Sequence, residues 1–153
     1  MYMKLAEALI ERAEIQKKNS QLISRIKANS KVQEGDAPAE KPEELITEYE
    51  VNMTRFLELV RRINTTNSQA AFDADLSITD AIALRDCLGA KIRAYREFYE
   101  AATIRVDRYS RNEIKIVTCA NPKELQGTIN KLSKDYRELD TKLQGLNWTT
   151  DLL

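Results

Sequence analysis

The chain has 153 residues, with 24 basic and 24 acidic side chains and no histidine. Its length corresponds to one domain whose core needs no disulfide or metal, and its zero net charge gives no overall field toward nucleic acid or an anionic membrane. Because histidine is the usual general base near neutral pH and the commonest metal ligand, its absence excludes histidine-activated nucleophiles and histidine-based zinc sites.

The cysteines and the start of the chain indicate a cytoplasmic location. Cys87 and Cys119 form no CxxC pair, which fits a reducing compartment and gives no zinc spacing. The opening MYMKLAEALIERAE carries glutamates within its first turns and is not a signal peptide. No window contains the roughly 18 apolar residues that a membrane span requires.

Apolar residues recur every three or four positions at the start of the chain, which predicts a helix over about residues 3–30. The stripe consists of Leu5, Ala8, Leu9, Ile15, Leu22, Ile23 and Ile26. Arg12, Asn19 and Asn29 lie on the same stripe. Polar residues at such positions either fix the helix register and the number of partner helices or mark an exposed helix end.

A second helix is predicted over about residues 42–66, after a loop at 31–41 that contains glycine and proline. Pro42 suits its first position, and Glu43 and Glu44 favour the positive helix end. Its stripe alternates steps of three and four, as in a coiled coil: Ile46, Tyr49, Met53, Phe56, Val60, Ile63 and Asn67.

Charges of opposite sign separate along this first half of the chain. Residues 1–33 are mainly basic, and residues 34–50 are mainly acidic. Such segments either steer contact between subunits or balance each other across the first helical hairpin.

A third helix is predicted over about residues 78–102, after the polar loop 65–77, with Ser77 or Thr79 as its N-cap. Its apolar face consists of Ile82, Leu88, Ile92, Tyr95, Tyr99 and Ala102. Gly89 lies inside this helix. Because glycine in a helix costs about 1 kcal/mol relative to alanine, it indicates a close helix crossing.

A fourth helix is predicted over about residues 122–145. The residues NPKE at 121–124 supply an N-cap, proline at the first position and glutamate three residues after the cap. Its buried face is Leu125, Ile129, Leu132, Tyr136, Leu139, Leu143 and Leu146. Gly145 or Asn147 is expected to end the helix, and Trp148 is expected to close the end of the core.

Together these elements predict a mainly α fold in a single domain of residues 1–153. Long antiparallel helical hairpins would form a four-helix arrangement, because short connections favour antiparallel neighbours.

Residues 103–117 depart from the helical pattern. Alternating residues at 103–106 and 113–117 flank a basic tip, which predicts a short β-hairpin. The alternative is a helix that continues through Val106, followed by an irregular linker. A lone two-stranded hairpin is marginal in water, so it is expected to lie on the helices or to pair its edge with another chain.

The same segment holds the candidate ligand-binding residues, which are basic or aromatic: Arg105, Arg108, Tyr109, Arg111 and Lys115. Guanidinium groups suit phosphate or carboxylate. The alternative is ion pairing with a partner or plain solvation, because Asp107 and Glu113 partly neutralise the group.

No catalytic residue, metal site or cofactor is predicted. The stretch FDADLSITDA at 72–81 spaces its acids as a calcium loop does. However, it has Ile78 where glycine is needed and Leu84 where a bidentate glutamate is needed.

Five ordered blocks carry a resemblance to a known family. MKLAEALIERAE, KVQEGDAPAE, INTTN, RYSRNEIK and YRELDTKLQGLNWTTDL resemble small bacterial proteins of the septicolysin family. The resemblance implies a cytolysin but supplies no functional residues. A pore-former needs a membrane-spanning helix or alternating strands of about ten residues, whereas the alternating pieces at 103–117 are shorter and charged.

The sequence therefore favours a non-enzymatic, cytoplasmic helical protein that forms homo-oligomers through long amphipathic helices, with residues 103–117 exchanged or paired between subunits. An alternative is a binder of, or an enzyme acting on, a small anionic ligand at residues 105–115. The third hypothesis is a cytolysin.

Overall fold

The structure is a computed structural model that describes residues 2–103 and 114–153. It contains helices α1 (Leu5–Ala28), α2 (Pro42–Gln69), α3 (Ile78–Thr103) and α4 (Pro122–Thr149). The predicted mainly helical fold with long helical hairpins is thus confirmed.

The predicted β-hairpin at residues 103–117 is not supported. Thr103 belongs to α3, and residues 114–119 have no regular secondary structure. The intervening residues 104–113, which include the alternative helix extension through Val106, lie outside the described residues. Pairing of β type is limited, in the described ranges, to isolated bridges of Lys4 with Asp151 and of Ala71 with Ser77.

The helices begin where local sequence signals place them. Pro42 occupies the first turn of α2, with two glutamates beside it. At the start of α4, the Oδ1 of Asn121 accepts hydrogen bonds from the backbone N–H of Lys123 at 3.0 Å and of Glu124 at 3.4 Å. These caps satisfy amides that have no partner within the helix.

The end of α4 differs from the prediction. The helix does not stop at Gly145 but continues to Thr149, and the backbone N–H of Thr150 still bonds to the carbonyl of Leu146 at 2.8 Å. Leu152 is buried beyond this end, while Trp148 is mostly exposed. The expectation that Trp148 closes the core is therefore wrong, because the residues after the helix supply that contact.

The chain forms two compact units. The first comprises residues up to 78 together with 144–153, and the second comprises residues 79–143. In the first unit α1 and α2 are antiparallel and bury Leu5, Ala8, Ile15, Leu22, Leu45, Leu59 and Ile63. In the second unit the buried apolar side chains include Ile92, Ile129 and Leu132. The predicted single domain stays a prediction.

The apolar face of α2 lies to one side of the predicted stripe. Ile46 is exposed, whereas its neighbour Leu45 is buried with Leu59 and Ile63. A strict 3.5-residue repeat drifts by about 20° per heptad on a straight helix. The stripe starting at Ile46 therefore begins away from the core and rotates toward it along the helix, and the coiled-coil interpretation is not supported.

Among the residues that the structure describes, no helix combines the length and the apolar character needed to cross a membrane.

Replacing Leu59 by alanine is expected to lower the free energy of unfolding by about 2–5 kcal/mol, because it leaves a cavity in the core of the first unit. Leu59 is 0% exposed, while Leu57 on the same helix is 58% exposed. Leu57→Ala is the matched control and is expected to change the free energy by less than about 0.5 kcal/mol. Urea unfolding followed by circular dichroism would measure both, and equal losses would contradict the assigned core.

Candidate functional site

Asn19, a polar residue on the predicted α1 stripe, forms hydrogen bonds inside the first unit. It is buried, donates from Nδ2 to the sulfur of Met53 at 3.3 Å, and accepts at Oδ1 from the Nδ2 of Asn52 at 3.0 Å. Its polar atoms thus fix α1 against α2 of the same chain. Buried polar groups of this kind specify a register because an unsatisfied amide would be costly.

Asn29 and Arg12 have other surroundings. Asn29 caps the end of α1, where its Nδ2 donates to the carbonyl of Arg25 at 2.8 Å and its Oδ1 accepts from the N–H of Glu40 at 3.1 Å. It therefore has the helix-end role. Arg12 is half-buried, and its Nε has no hydrogen-bond partner among the described residues.

Opposite charges of the segments 1–33 and 34–50 pair within the chain. Lys18 contacts Glu48 at 2.7 Å, and Arg25 forms an ion pair with Glu40. These contacts join the basic segment 1–33 to the acidic segment 34–50. They support intramolecular balance over steering between subunits.

A further ion pair joins α1 to α2 as a fork between Arg55 and Glu11. The Nε and Nη2 of Arg55 donate to the two carboxylate oxygens at 2.7 and 3.0 Å. The hydrogen bond from Arg55 holds the pKa of Glu11 below its ordinary value. The same bond, together with one to Glu58 at 2.8 Å, raises the pKa of Arg55.

The candidate ligand-binding residues of the basic segment are not brought together by any described contact. Arg105, Arg108, Tyr109 and Arg111 lie outside the described residues, and Lys115 is exposed. The site therefore stays a prediction. Across residues 2–103 and 114–153, no group of three cysteine or carboxylate side chains is placed to hold a metal ion.

An apolar surface lies where the end of α3 meets the segment that leads toward α4. We call it the apolar end patch: Phe98, Ala101, Ala102, Ile114 and residues 116–120. It encloses an open groove of about 480 Å³, and no charged side chain lines this groove. Its lining residues are Phe98, Ala101, Ala102, Ile116, Val117, Thr118, Cys119 and Ala120.

The patch is held by two local contacts. The hydroxyl of Thr118 donates to the carbonyl of Ala102 at 3.0 Å, which satisfies one of the acceptors left open at a helix end. The ring of Phe98 packs at a tilt against that of Tyr95, with centroids 5.4 Å apart. Both contacts position the apolar side chains without covering them.

The apolar side chains of the patch are largely exposed. Phe98 is 50% exposed and Ile114 is 92% exposed, and Ile116 and Val117 are also exposed. A contiguous exposed apolar surface marks an interaction site more often than scattered apolar residues do. The groove offers contact area and no catalytic pair, so its chemistry is that of association.

Sequence reasoning found half of this patch. The alternation of Ile114 and Ile116 predicts one strand of a hairpin, which the structure does not support, at a segment whose apolar side chains are exposed. Phe98 was missed. Its signal is that it falls off the predicted buried face of the third helix, which contains Tyr95, Tyr99 and Ala102.

Comparison with known proteins gives a family and a fold. The model of DUF6847, a family of unknown function, matches residues 12–152. The crystal structure of a functionally unknown conserved protein from Corynebacterium diphtheriae is 44% identical, covers 100% of both chains and superimposes with a TM-score of 0.93. No curated protein matches the chain.

These findings show that the predicted resemblance to the septicolysin family is wrong. The matching family model covers nearly the whole chain, including most of the five sequence blocks, and carries no lytic description. The similar solved structure carries none either. The cytolysin hypothesis is therefore dropped.

The Glu11–Arg55 pair predicts a pH-dependent part of stability. Because the pKa of Glu11 is below its ordinary value of 4.5 in the folded chain, its contribution is present above that value and is lost as pH falls through the folded pKa. Glu11→Gln is expected to lose about 0.5–1 kcal/mol of unfolding free energy at pH 7.

Urea unfolding from pH 7 down to pH 3 would test this pair. The difference between wild type and Glu11→Gln should shrink once the carboxyl group protonates. Glu14→Gln is the control, since Glu14 is exposed on the same helix. A difference that stays constant with pH would contradict the ion pair.

Proposed function

Because the chain belongs to DUF6847, a family of unknown function, we propose its function from its own surfaces: an interaction protein that associates with itself through the apolar end patch. The observation that carries the proposal is the uncharged groove beside the exposed residues Phe98, Ile114, Ile116 and Val117.

Burial of the exposed apolar side chains at this surface would favour association. Fully burying a valine, isoleucine or phenylalanine side chain contributes roughly 1.5–3 kcal/mol. Residues such as Phe98 and Ile116 leave a large part of that contribution unused in the single chain, because they remain exposed. A partner that covers the patch would recover it.

The shape of the patch favours a second copy of the same chain as the partner. It contains both a groove of about 480 Å³ and a protruding side chain, Ile114, that is 92% exposed. In a two-fold contact, each residue meets its counterpart site on the other subunit. Ile114 of each chain would then enter the groove of the other.

Charge and backbone also support self-association. The net charge is zero, so two copies do not repel each other through a common excess charge. Within the described ranges, the backbone N–H and C=O groups of residues 114–117 have no hydrogen-bond partner. Such groups are available to pair with an equivalent segment.

Replacing Ile114 by aspartate is expected to convert a dimer into a monomer, because it places a charge inside the apolar contact. Analytical ultracentrifugation over a concentration series of the full chain would measure the change, with an expected loss of at least about tenfold in dimer affinity, which corresponds to about 1.4 kcal/mol. Ile116→Asp should act in the same direction.

The control is Val51→Asp. Val51 is 64% exposed on α2 and does not belong to the patch, so this variant should dimerise like the wild type. A wild-type protein that remains a strict monomer throughout the series would rule out the proposal. So would a dimer that neither Ile114→Asp nor Ile116→Asp weakens.

A further inference from the structure

A second surface of the same unit lies between α3 and α4. We call it the arginine groove, an open cleft of about 270 Å³ lined by Gly89, Ile92, Arg93, Arg96, Ser133 and Tyr136. It shares no lining residue with the apolar end patch, and it does not depend on the proposed self-association.

The helix register brings the polar groups to one place. Gly89, Arg93 and Arg96 are four and three residues apart, so they follow one face of α3. Ser133 and Tyr136 are three residues apart on α4. The helices run antiparallel, because Arg85 contacts Asp140 at 3.1 Å whereas Gly89, later in α3, lies beside Tyr136, earlier in α4. The two faces meet across the groove.

Among the described residues, the guanidinium groups of Arg93 and Arg96 are not paired with carboxylates. Among the described residues, neither Arg93 nor Arg96 has an acidic partner within ion-pair distance, although Glu97 and Glu100 lie one helical turn beyond them. Arg93 instead reaches back over Gly89: a Cβ placed on that glycine would lie 3.5 Å from its Nη1. The positive charge is therefore directed along the groove.

The hydroxyl groups opposite are also available. Many serine and threonine hydroxyls on these helices donate to the carbonyl four residues before them, as Thr141 does to Arg137 at 2.8 Å. In the described part of the chain, neither the hydroxyl of Ser133 nor that of Tyr136 has a hydrogen-bond partner. No carboxylate lines the groove.

Gly89 keeps the groove open. A Cβ there would meet Arg93 and the ring of Tyr136 at 3.5 Å, an ordinary contact distance. The approach is made by side chains, so the close crossing of helix backbones that the sequence suggested is not what requires glycine. Alanine would fit at this position and would favour the helix. What alanine would remove is the open space above Gly89.

We propose that the arginine groove binds the phosphate group of a small molecule. Two guanidinium groups and two hydroxyls supply donors from both sides to an anion with several acceptor oxygens. The buried Ile92 and the ring of Tyr136 supply an apolar wall. The volume suits a small phosphate monoester or free phosphate better than a nucleotide-sized ligand.

The test titrates the full chain with inorganic phosphate, glycerol 3-phosphate, glycerol and acetate, and follows backbone amide shifts by NMR. Both phosphate compounds are expected to shift residues around 89–96 and 133–136, while glycerol and acetate are not. Tighter binding of glycerol 3-phosphate identifies a monoester site, and equal binding identifies a site for free phosphate. Absence of binding by both at millimolar concentration would overturn the proposal, as would equal binding of acetate.

Substitutions locate the site. Arg96→Ala is expected to raise the Kd for the phosphate compound about tenfold, because it removes a charged donor. Arg137→Ala removes one positive charge from an exposed position on α4 outside the groove and should change the Kd less than twofold. Equal effects of Arg96→Ala and Arg137→Ala would show that binding depends only on the overall charge, which would contradict the proposal.

The glycines provide a matched pair for the shape of the groove. Gly89→Ala and Gly127→Ala should both raise the thermal unfolding midpoint, by about 2–4 °C, because alanine favours the helix. A Cβ at Gly127 would meet nothing within 4 Å, so this variant should bind like the wild type. Gly89→Ala should weaken phosphate binding, and unchanged binding would place the ligand elsewhere and overturn the proposal.

Discussion

The first unit depends on a backbone pairing between residues that are far apart in the sequence. Lys4 and Asp151 form an isolated antiparallel bridge, with Leu5 N–H bonded to the carbonyl of Thr150 at 2.9 Å and Leu152 N–H bonded to that of Met3 at 2.8 Å. Both Leu5 and Leu152 are buried beside it. Two hydrogen bonds here satisfy backbone groups that would otherwise be desolvated without partners.

The same tail is held on its other side by α2. The N–H of Leu153 donates to the hydroxyl of Thr66 at 2.9 Å, and the Nε of Arg62 donates to the carbonyl of Leu153 at 2.8 Å. Thr66 is fully buried and also donates to the carbonyl of Arg62 at 2.8 Å. Its hydroxyl therefore acts as both donor and acceptor, which explains a buried polar residue among the leucines of α2.

Local signals in the sequence were enough to locate the helices. Pro42 and Asn121 mark helix starts through chemistry that acts within one turn, and the predicted face of α4 contains the buried residues Ile129, Leu132 and Leu143. The predictions that failed concern contacts between residues that are far apart in the sequence. Ile46 was misplaced because a heptad pattern drifts on a straight helix, and Trp148 because the sequence did not show that Leu152 would dock there.

The two candidate surfaces differ in how much of each could be predicted from the sequence. The alternation at Ile114 and Ile116 is local and can be seen in the sequence, although it predicts a strand that residues 114–119 do not form. The arginine groove joins Arg96 on α3 to Ser133 on α4, and this meeting depends on the register between two helices. Neither residue carries a motif on its own, so the groove emerges only once α3 and α4 are placed.

Helix α3 contains three features that stability alone would not select. It keeps a glycine in its interior where alanine would fit, two arginines without described acidic partners, and an exposed Phe98. Elsewhere the surface contains paired charges such as Lys18 with Glu48 and Arg55 with Glu11. Residues that break local rules without a structural gain tend to mark functional positions. Both proposed activities therefore involve α3 and the segments packed against it.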